Sequence, residues 1–320
     1  MTRVSVGARL HVGFLNLSLA RERLYGGVGL GLAEPCVTLT AEPADRVDCD
    51  GPLVADYAER ACTLLDVPGA TITVEETLPR HVGLGSGTQL ALATLAAVAG
   101  AYDLDPRVRE RAPALGRGGR SGVGVATFEA GGFVVDAGHP TERFTTAPPA
   151  DGEWTVPPVM ARHDVPDGWR ALLVVPDGPV GRSGDAEDAS MRTVVERADP
   201  TVADELADVL TRRLLPAMAT GDLDAFGRAV AEFGRLNGAW YADVQGGVYR
   251  PPAGALVESL SDARAVVGVG QSSWGPAVYG LTDASRTAAA REAGERALTA
   301  AGVDGTVRVV PFAGSGASTE

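Results

Sequence analysis

The sequence predicts an α+β fold in two domains, built on antiparallel sheets. Its 320 residues match the length of about two domains. Strand-like patterns dominate residues 3–49, whereas strands and helices intermix further along the chain. A polar, proline-rich segment at 145–158 separates the two parts, which predicts domains at 1–158 and 159–313. Residues 314–320 are small and polar and are expected to form a disordered tail.

The predicted N-terminal domain begins with two strands, at 3–10 and 12–17, where residues alternate or run apolar. Glycine alternates with apolar residues at 26–32, which is typical of a strand that another backbone approaches closely. The almost wholly apolar segment 89–102 predicts a helix that is buried on all sides. The other predicted elements are strands at 37–41, 46–49, 71–74 and from Phe128 through 131–136, and helices at 54–65 and 105–115.

The predicted C-terminal domain is recognised by its amphipathic helices. Apolar residues lie on one face of a helix at 199–218, and a second helix follows at 223–240. A loop rich in glycine and serine at 270–275 joins two short apolar strands. The remaining predicted elements are strands at 169–175, 265–269, 277–281 and 306–312, and a helix at 285–301.

The composition excludes several classes of partner. The chain carries 28 basic residues, all of them arginine, and 41 acidic residues, which gives a net charge of −13. Such a surface repels phosphate backbones and anionic headgroups, so we expect no nucleic-acid partner and no membrane. An acidic chain without lysine is typical of a high-salt, halophilic cytoplasm, where ions screen the repulsion between carboxylates. High genomic GC content would deplete lysine as well.

Cysteine usage and hydropathy indicate a cytoplasmic protein. Cys36, Cys49 and Cys62 are odd in number and are not spaced like zinc ligands or a disulfide framework. They are therefore predicted to be free thiols in a reducing compartment. The longest apolar stretch, 90–102, is too short to span a bilayer, and the N-terminus shows no signal-peptide pattern.

One glycine-rich loop points to phosphate chemistry. Its alternating glycines let the backbone approach a ligand without interference from side chains. Ser86 is expected to cap the following helix, whose positive end and free N–H groups then face an anion. A structural glycine turn before a helix is the alternative, and a P-loop is excluded because the chain has no lysine. The predicted phosphate-binding residues are Gly83, Leu84, Gly85, Ser86, Gly87, Thr88 and Gln89.

The motif around this loop resembles that of a known family. Residues 79–86 read Pro-x3-Gly-Leu-Gly-Ser, which is similar to the phosphate loop of the GHMP kinase superfamily. The continuation Gly-Thr-Gln resembles one branch, the beta-ribofuranosylaminobenzene 5′-phosphate synthases. Further similar blocks follow in order, at 8–11 with 26–30, at 116–136 and at 270–276. The resemblance implies a GHMP-kinase-like fold, with a mixed α/β N-terminal domain, a ferredoxin-like C-terminal domain and a site in the cleft between them.

The resemblance also implies a reaction. Members of that family join phosphoribosyl diphosphate to 4-aminobenzoate or 4-hydroxybenzoate, releasing carbon dioxide and diphosphate, in the pathway to methanopterin-type cofactors. Mg²⁺ is the expected cofactor, because a leaving diphosphate needs charge stabilisation. Two alternatives stay open: an ATP-dependent small-molecule kinase on the same fold, and a non-catalytic ligand-binding homologue. A homodimer is expected because it is the commonest assembly of soluble proteins.

Further candidate residues lie in the blocks that resemble the family or are arginines. A diphosphate needs cationic hydrogen-bond donors, and arginine is the permanently charged cationic side chain of this sequence. His11 is either a core histidine or an active-site residue that orients the aromatic acid or moves a proton. Asn16 stands near a place where the family tends to carry aspartate, and an amide can neither act as a base nor bind a metal as a carboxylate does. The predicted catalytic set is His11, Asn16, Arg23 and Arg120.

The remaining candidates serve phosphate, substrate or metal. Three residues of the second glycine loop extend the phosphate site: Arg117, Ser121 and Gly122. Donors to the substrate are expected from Arg182, Gln271, Ser272 and Ser273. Two carboxylates, Asp136 and Glu187, are the candidate metal ligands.

Overall fold

The computed structural model describes residues 1–144, 149–178 and 185–320, without the side chains of 185–188. The described strands are β1 (Thr2–Asn16), β2 (Arg23–Pro43), β3 (Asp48–Cys49), β4 (Ala70–Glu76), β5 (Phe133–Asp136), β6 (His139–Pro140), β7 (Val159–His163), β8 (Trp169–Pro176), β9 (Val267–Gln271), β10 (Val278–Asp283), β11 (Gly305–Pro311) and β12 (Ser318–Thr319). The described helices are α1 (Pro52–Leu65), α2 (Ser86–Ala101), α3 (Val108–Arg111), α4 (Val123–Ala130), α5 (Asp185–Arg197), α6 (Pro200–Val209), α7 (Leu215–Thr220), α8 (Leu223–Gln245), α9 (Ala253–Ser261) and α10 (Thr287–Ala301).

A long hairpin of β1 and β2 organises the first sheet. Side chains of β1 alternate between buried and half-buried as far as Leu10, as expected for a strand with one face on the core. The register shifts between Gly7 and Arg9 and again next to His11, so bulges bend this part of the strand. A Cβ on Gly29 of β2 would lie 2.4 Å from the carbonyl oxygen of Leu10. The close backbone approach predicted for 26–32 is therefore confirmed.

Two predictions about the ends of the domains are wrong. Strand β7 pairs with β5, with Phe133 opposite His163, so 159–163 belongs to the first sheet and not to the second domain. The segment 314–320 is not a disordered tail, because its strand β12 pairs with β1. The backbones of Arg3 and Glu320 also exchange both of their hydrogen bonds. The tail thus satisfies N–H and C=O groups at the edge of β1, which composition alone does not reveal.

Helix α2 is the centre of the first domain. Its residues from Gln89 to Ala99 are all buried, which confirms the helix predicted there. The helix packs between α1 and the β1–β2 hairpin, and this packing fixes its N-terminus at the edge of the domain. None of the helices in the described ranges combines the length and the hydropathy needed to cross a membrane.

Two helical predictions need correction. Phe128, predicted to lead into a strand, lies in α4, because the segment between two glycine turns packs as a short helix on the first sheet. The helix predicted at 199–218 is divided into α6 and α7 by a π-helical turn at Leu210–Leu214. The apolar face continues through the turn, since Leu206, Leu210 and Leu214 are all buried.

The second sheet contains four antiparallel strands in the order β11-β8-β10-β9. Helices α5 to α9 connect β8 to β9, a direct turn joins β9 to β10, and α10 leads to β11. This is the β-α-β-β-α-β arrangement of a ferredoxin-like domain, so the predicted α+β class and the predicted ferredoxin-like C-terminal domain are confirmed. Helix α8 lies against both β9 and β1, so it connects the two domains.

Candidate active site

A cleft of about 470 Å³ opens at the junction of the domains. One wall is the loop that precedes α2, and another is the turn between β9 and β10, which contributes Ser273, Trp274 and Gly275. The glycine loops that stand far apart in the sequence therefore meet here. Clefts at domain interfaces are common ligand sites.

The N-terminus of α2 faces this cleft without a side-chain cap. Gly85 takes the N-cap position, with a φ of 81°, and no side chain accepts a hydrogen bond from the first turn. Ser86, expected to be the cap, is instead the first residue of the helix. The backbone N–H groups and the positive end of the helix dipole are thus directed to the site where an anion would bind. Gly87 leaves room for a guanidinium, because a Cβ there would lie 3.3 Å from Nη1 of Arg117.

Three arginines, Arg9, Arg80 and Arg117, line the cleft together with this helix end. Arg9 donates from Nη1 to the carbonyl oxygen of Gly83 at 2.8 Å, which holds its guanidinium against the phosphate loop. Arg117 donates from Nη2 to the hydroxyl of Tyr57, and its Nε is buried without a hydrogen-bond partner. No carboxylate lines the cleft among the described residues, although the chain carries 41 acidic residues. The local potential is therefore positive on a strongly acidic protein.

Backbone and serine hydrogen bonds join the two domains beside the phosphate loop. Ser272 donates from Oγ to the carbonyl oxygen of Gly83 at 2.7 Å and accepts from the backbone N–H of His11 at 3.1 Å. Ser273 donates its backbone N–H to the carbonyl oxygen of His11 at 3.1 Å. The spacing is close, because a Cβ on Gly275 would lie 2.0 Å from the carbonyl carbon of Val82. These contacts hold the cleft walls in a fixed relation.

A second, smaller cavity of about 40 Å³ adjoins the cleft and shares Ser273 and Trp274 with it. His11 lines this cavity, is 5% exposed, and has an Nε2 atom without a hydrogen-bond partner. Burial, with a smaller effect from the charge of Arg9, lowers the pKa of His11 to about 3. The imidazole is therefore neutral at physiological pH.

Comparisons with known proteins agree with this architecture. The model of the GHMP kinases N terminal domain matches residues 53–132, and that of the GHMP kinases C terminal domain matches 214–302. A beta-ribofuranosylphenol 5′-phosphate synthase from Methanothermobacter thermautotrophicus is 35% identical over 297 residues, 88% of each chain. One of the same name from Archaeoglobus fulgidus is 33% identical over 293 residues, 89% of each chain. The chain belongs to the beta-ribofuranosylphenol 5′-phosphate synthase family, within the GHMP kinase superfamily.

A solved structure shares the fold at low sequence identity. Streptococcus pneumoniae phosphomevalonate kinase, in complex with phosphomevalonate and AMPPNP, has a TM-score of 0.68 and 14% identity. The match covers 97% of this chain and all of that one. The synthase family thus uses the two-domain architecture that is also found in kinases.

The structure brings together a large part of the predicted phosphate and substrate sites. The predicted residues that line the cleft are Gly83, Gly85, Ser86, Gly87, Thr88, Arg117 and Ser273. His11, Gln271 and Ser273 line the smaller cavity. Leu84 and Ser272 are buried at the contact between the loops, where the carbonyl oxygen of Leu84 accepts from Arg9 N–H. Arg182 and the side chain of Glu187 lie outside the described residues.

Two predicted catalytic residues lie outside both spaces and hold a turn. Asn16 donates from Nδ2 to the carbonyl oxygens of Ser18 and Arg23, at 2.8 and 2.7 Å, and its Oδ1 accepts from the N–H of Ser18. Arg23 donates to the carbonyl oxygens of Ala137 and Gly138. Their polar atoms are engaged with backbone, so the catalytic interpretation of these two residues is not supported. The presence of asparagine rather than aspartate at position 16 is therefore no argument against catalytic activity.

Other predicted residues stabilise the second glycine loop. Gln89 is fully buried and donates to the carbonyl oxygen of Gly124, so it packs α2 against α4 and does not reach the cleft. Arg120 is half-buried and lines neither space. Asp136 accepts from Oγ of Ser121 at 2.9 Å and from the N–H of Gly122 at 2.8 Å, and it is fully buried. Asp136 at the end of β5 thus holds Ser121 and Gly122 of the second glycine loop in a structural cluster. Phosphate binding by Ser121 and Gly122 and metal binding by Asp136 are therefore not supported.

Replacing Asp136 with asparagine tests this structural interpretation. Burial raises the pKa of Asp136, although its hydrogen bonds oppose the shift. In Asp136→Asn, an NH₂ group replaces one acceptor oxygen and meets N–H donors, so we expect the free energy of unfolding to fall by about 2 kcal/mol. Urea unfolding measures the loss, with the exposed Asp262→Asn as the matched control. Wild-type stability in Asp136→Asn would contradict this role.

The cleft residues that were not among the predicted site residues include Arg9, Tyr57 and Arg80. Arg9 stood inside a block that resembles the family, and Arg80 immediately precedes the glycine loop, so both carried a local signal. Tyr57 gave none, because its position in an amphipathic helix is also that of a core residue. Only the fold brings its hydroxyl to Arg117.

Proposed function

We propose that the protein is a decarboxylating phosphoribosyltransferase, which joins phosphoribosyl diphosphate to 4-hydroxybenzoate or 4-aminobenzoate. The observation that carries this proposal is the charge of the cleft. Three arginines and an uncapped helix N-terminus surround a space in which the described residues place no carboxylate. Such a site stabilises a highly anionic ligand. The relatives, named as synthases of beta-ribofuranosylphenol 5′-phosphate, supply the substrate class.

The geometry supports a role for the phosphate loop in the departure of diphosphate. As the bond from the anomeric carbon to diphosphate breaks, negative charge grows on the leaving group. The N–H groups at the start of α2 and the guanidinium of Arg117 are oriented in advance to stabilise that charge. The ring carbon that carries the carboxylate bonds to the anomeric carbon. The carboxylate then leaves as carbon dioxide, and its bonding electrons restore the aromatic ring.

The cleft offers Mg²⁺ few protein ligands. Mg²⁺ is usually bound by one or two carboxylates together with substrate phosphates. The cleft-lining oxygens of the described side chains belong to hydroxyls, those of Tyr57, Thr77, Ser86, Thr88 and Ser273. No cluster of three potential metal ligands occurs in the described ranges either. We therefore propose that Mg²⁺ enters with the diphosphate as its counterion, and the protein groups above are sufficient to orient that complex.

An ATP-dependent kinase is the second candidate, because solved structures with this fold include kinases. Phosphoryl transfer usually needs a residue that accepts the proton of the attacking hydroxyl and carboxylate ligands for Mg²⁺. The cleft provides no carboxylate from the part of the chain that the structure describes. The transferase is therefore the better supported of the two.

One assay separates these candidates. Purified protein in high KCl with Mg²⁺ is given phosphoribosyl diphosphate and carboxyl-labelled 4-hydroxybenzoate or 4-aminobenzoate. We expect labelled carbon dioxide and diphosphate in equal amounts. A parallel reaction contains ATP and each aromatic acid, and we expect no ADP. ADP without labelled gas would identify a kinase, and the absence of both products would indicate a different acceptor or a ligand-binding homologue.

A further inference from the structure

The small cavity next to the cleft has a chemical character of its own. Its walls include the rings of Phe14, Tyr241 and Trp274, and the ring centroids of the last two lie 4.8 Å apart. No arginine, aspartate or glutamate lines it among the described residues. The cavity is therefore aromatic and uncharged, whereas the adjoining cleft is lined by arginines. The two spaces meet at Ser273 and Trp274.

His11 lines this cavity, and its buried Nε2 atom has no hydrogen-bond partner. Its backbone N–H and carbonyl are both bonded to the serines of the β9–β10 turn, so the strand is held in place. The residue is 5% exposed and its Nε2 has no partner. The ring lies next to Phe14 in an edge-to-face arrangement, at a centroid distance of 4.9 Å. A buried polar atom without a partner costs about 1–3 kcal/mol. A bound ligand that supplies the missing hydrogen bond would recover that cost.

We propose that this cavity receives the para substituent of the aromatic acceptor, whose hydroxyl or amino group donates a hydrogen bond to Nε2 of His11. This inference rests on the proposed function, and it deepens that function by assigning the acceptor subsite and the polar group that recognises its para position. His11 is a substrate-binding residue in this assignment.

Volume and charge fix the orientation of the acceptor. A cavity of about 40 Å³ cannot hold an aromatic ring, since a benzene-sized guest occupies a cavity of about 150 Å³. The cavity therefore takes the substituent, and the ring lies at the junction beside Trp274. The carboxylate is excluded from an uncharged cavity, where it would be unpaired, and points to the arginines of the cleft. The ring carbon that carries it then faces the phosphoribosyl group.

This orientation suits the chemistry of the reaction. When the ring carbon attacks the anomeric carbon, electron density moves from the para substituent to the ring, and its proton becomes more acidic. The hydrogen bond to a neutral imidazole strengthens as that happens, and it weakens again when carbon dioxide leaves. No net proton transfer to His11 is required. A contact that strengthens in the transition state accelerates the reaction as well as supporting binding.

A cycle of ligand and residue changes tests the assignment. Equilibrium dialysis in the presence of inorganic diphosphate, which has no ribosyl group to transfer, measures the Kd of 4-hydroxybenzoate and of benzoate, which lacks the para group. We expect the wild type to bind 4-hydroxybenzoate about tenfold more tightly, and His11→Leu to bind both acids alike. The control His163→Leu removes a half-buried histidine from β7 and should keep the tenfold preference. Full preference in His11→Leu, or none in the wild type, would overturn the inference.

A second variant approaches the cavity from the opposite wall and leaves His11 in place. Gly234 of α8 lines the cavity, and a Cβ on it would meet only the hydroxyl of Tyr279, at 3.8 Å. Gly234→Ala should raise the melting temperature, since alanine favours a helix, and still weaken 4-hydroxybenzoate binding about tenfold by occupying the space of the para group. Unchanged 4-hydroxybenzoate binding in a stable Gly234→Ala protein would also overturn the inference.

The two proposals fail in different ways. If the wild type releases labelled carbon dioxide but neither variant changes acceptor binding, the proposed function stands and the assignment of the acceptor subsite is refuted. Wild type that binds phosphoribosyl diphosphate but consumes neither aromatic acid refutes the proposed function, and the inference is refuted with it.

Discussion

Arg117→Ala is expected to weaken the binding of phosphoribosyl diphosphate about 100-fold, because a charge-assisted, multidentate contact in a cleft is among the strongest polar contacts a protein makes. The side chain crosses from the second glycine loop to the N-terminus of α2, with its guanidinium carbon 5.3 Å from the centre of the Tyr57 ring. Its Nε is buried without a hydrogen-bond partner, and the residue lines the same cleft as the start of α2. Isothermal titration calorimetry measures the loss directly.

Controls separate a binding effect from a folding effect. Arg117→Lys keeps the charge but loses the planar fork, so its affinity should lie between those of wild type and Arg117→Ala. Arg212→Ala removes an arginine whose side chain is 79% exposed and should bind like wild type. The melting temperature of each variant shows whether the loss of the Tyr57 contact disturbs the fold. A change below about threefold in a folded Arg117→Ala protein would remove Arg117 from the anion site.

The parts of the fold that could be predicted from sequence are those with strong local signals. The helix at 89–102 is apolar on all sides, and a helix of that composition is expected to be buried. The alternating glycines at 26–32 indicated close backbone approach, which is found at Gly29. The glycines at 83–87 were predicted to admit a ligand, and the fold places them at the cleft. The sequence blocks that resemble the family, taken in their order along the chain, were sufficient to identify the family. They could be recognised because these blocks contribute residues to the walls of the cleft and to the strands next to it.

The parts that could not be predicted depend on partners that are distant in the sequence. From the sequence, Asp136 is a candidate metal ligand. In the structure its carboxylate accepts hydrogen bonds from Ser121 and Gly122. In the sequence, Arg23 and Arg117 have the same character, since each is an arginine close to glycines. In the fold, Arg23 donates to backbone carbonyl oxygens, whereas Arg117 lines the cleft. The tail was misjudged for the same reason, since its partner strand lies at the opposite end of the chain.

Gly275→Ala is expected to have the largest effect on stability, because it forces apart the loops that join the two domains. A Cβ on Gly275 would lie 2.0 to 2.2 Å from the carbonyl group of Val82 and the N–H of Gly83. Both neighbours are backbone, so neither can rotate out of the way. Overpacking of this kind costs about 3 kcal/mol, and in a protein of this size we expect the melting temperature to fall by about 4–5 °C.

The same substitution tests whether the domain contact positions the phosphate loop. Displacement of Gly83 moves the segment that leads into α2, so transferase activity should fall even at temperatures where Gly275→Ala remains folded. Gly168→Ala is the matched control, since no atom lies within 4 Å of a Cβ at that glycine, and it should change neither property. If Gly275→Ala lowers the melting temperature but keeps full activity, the contact stabilises the fold without setting the geometry of the anion site. If it changes neither, the loops can separate without cost, and the fixed cleft described above is wrong.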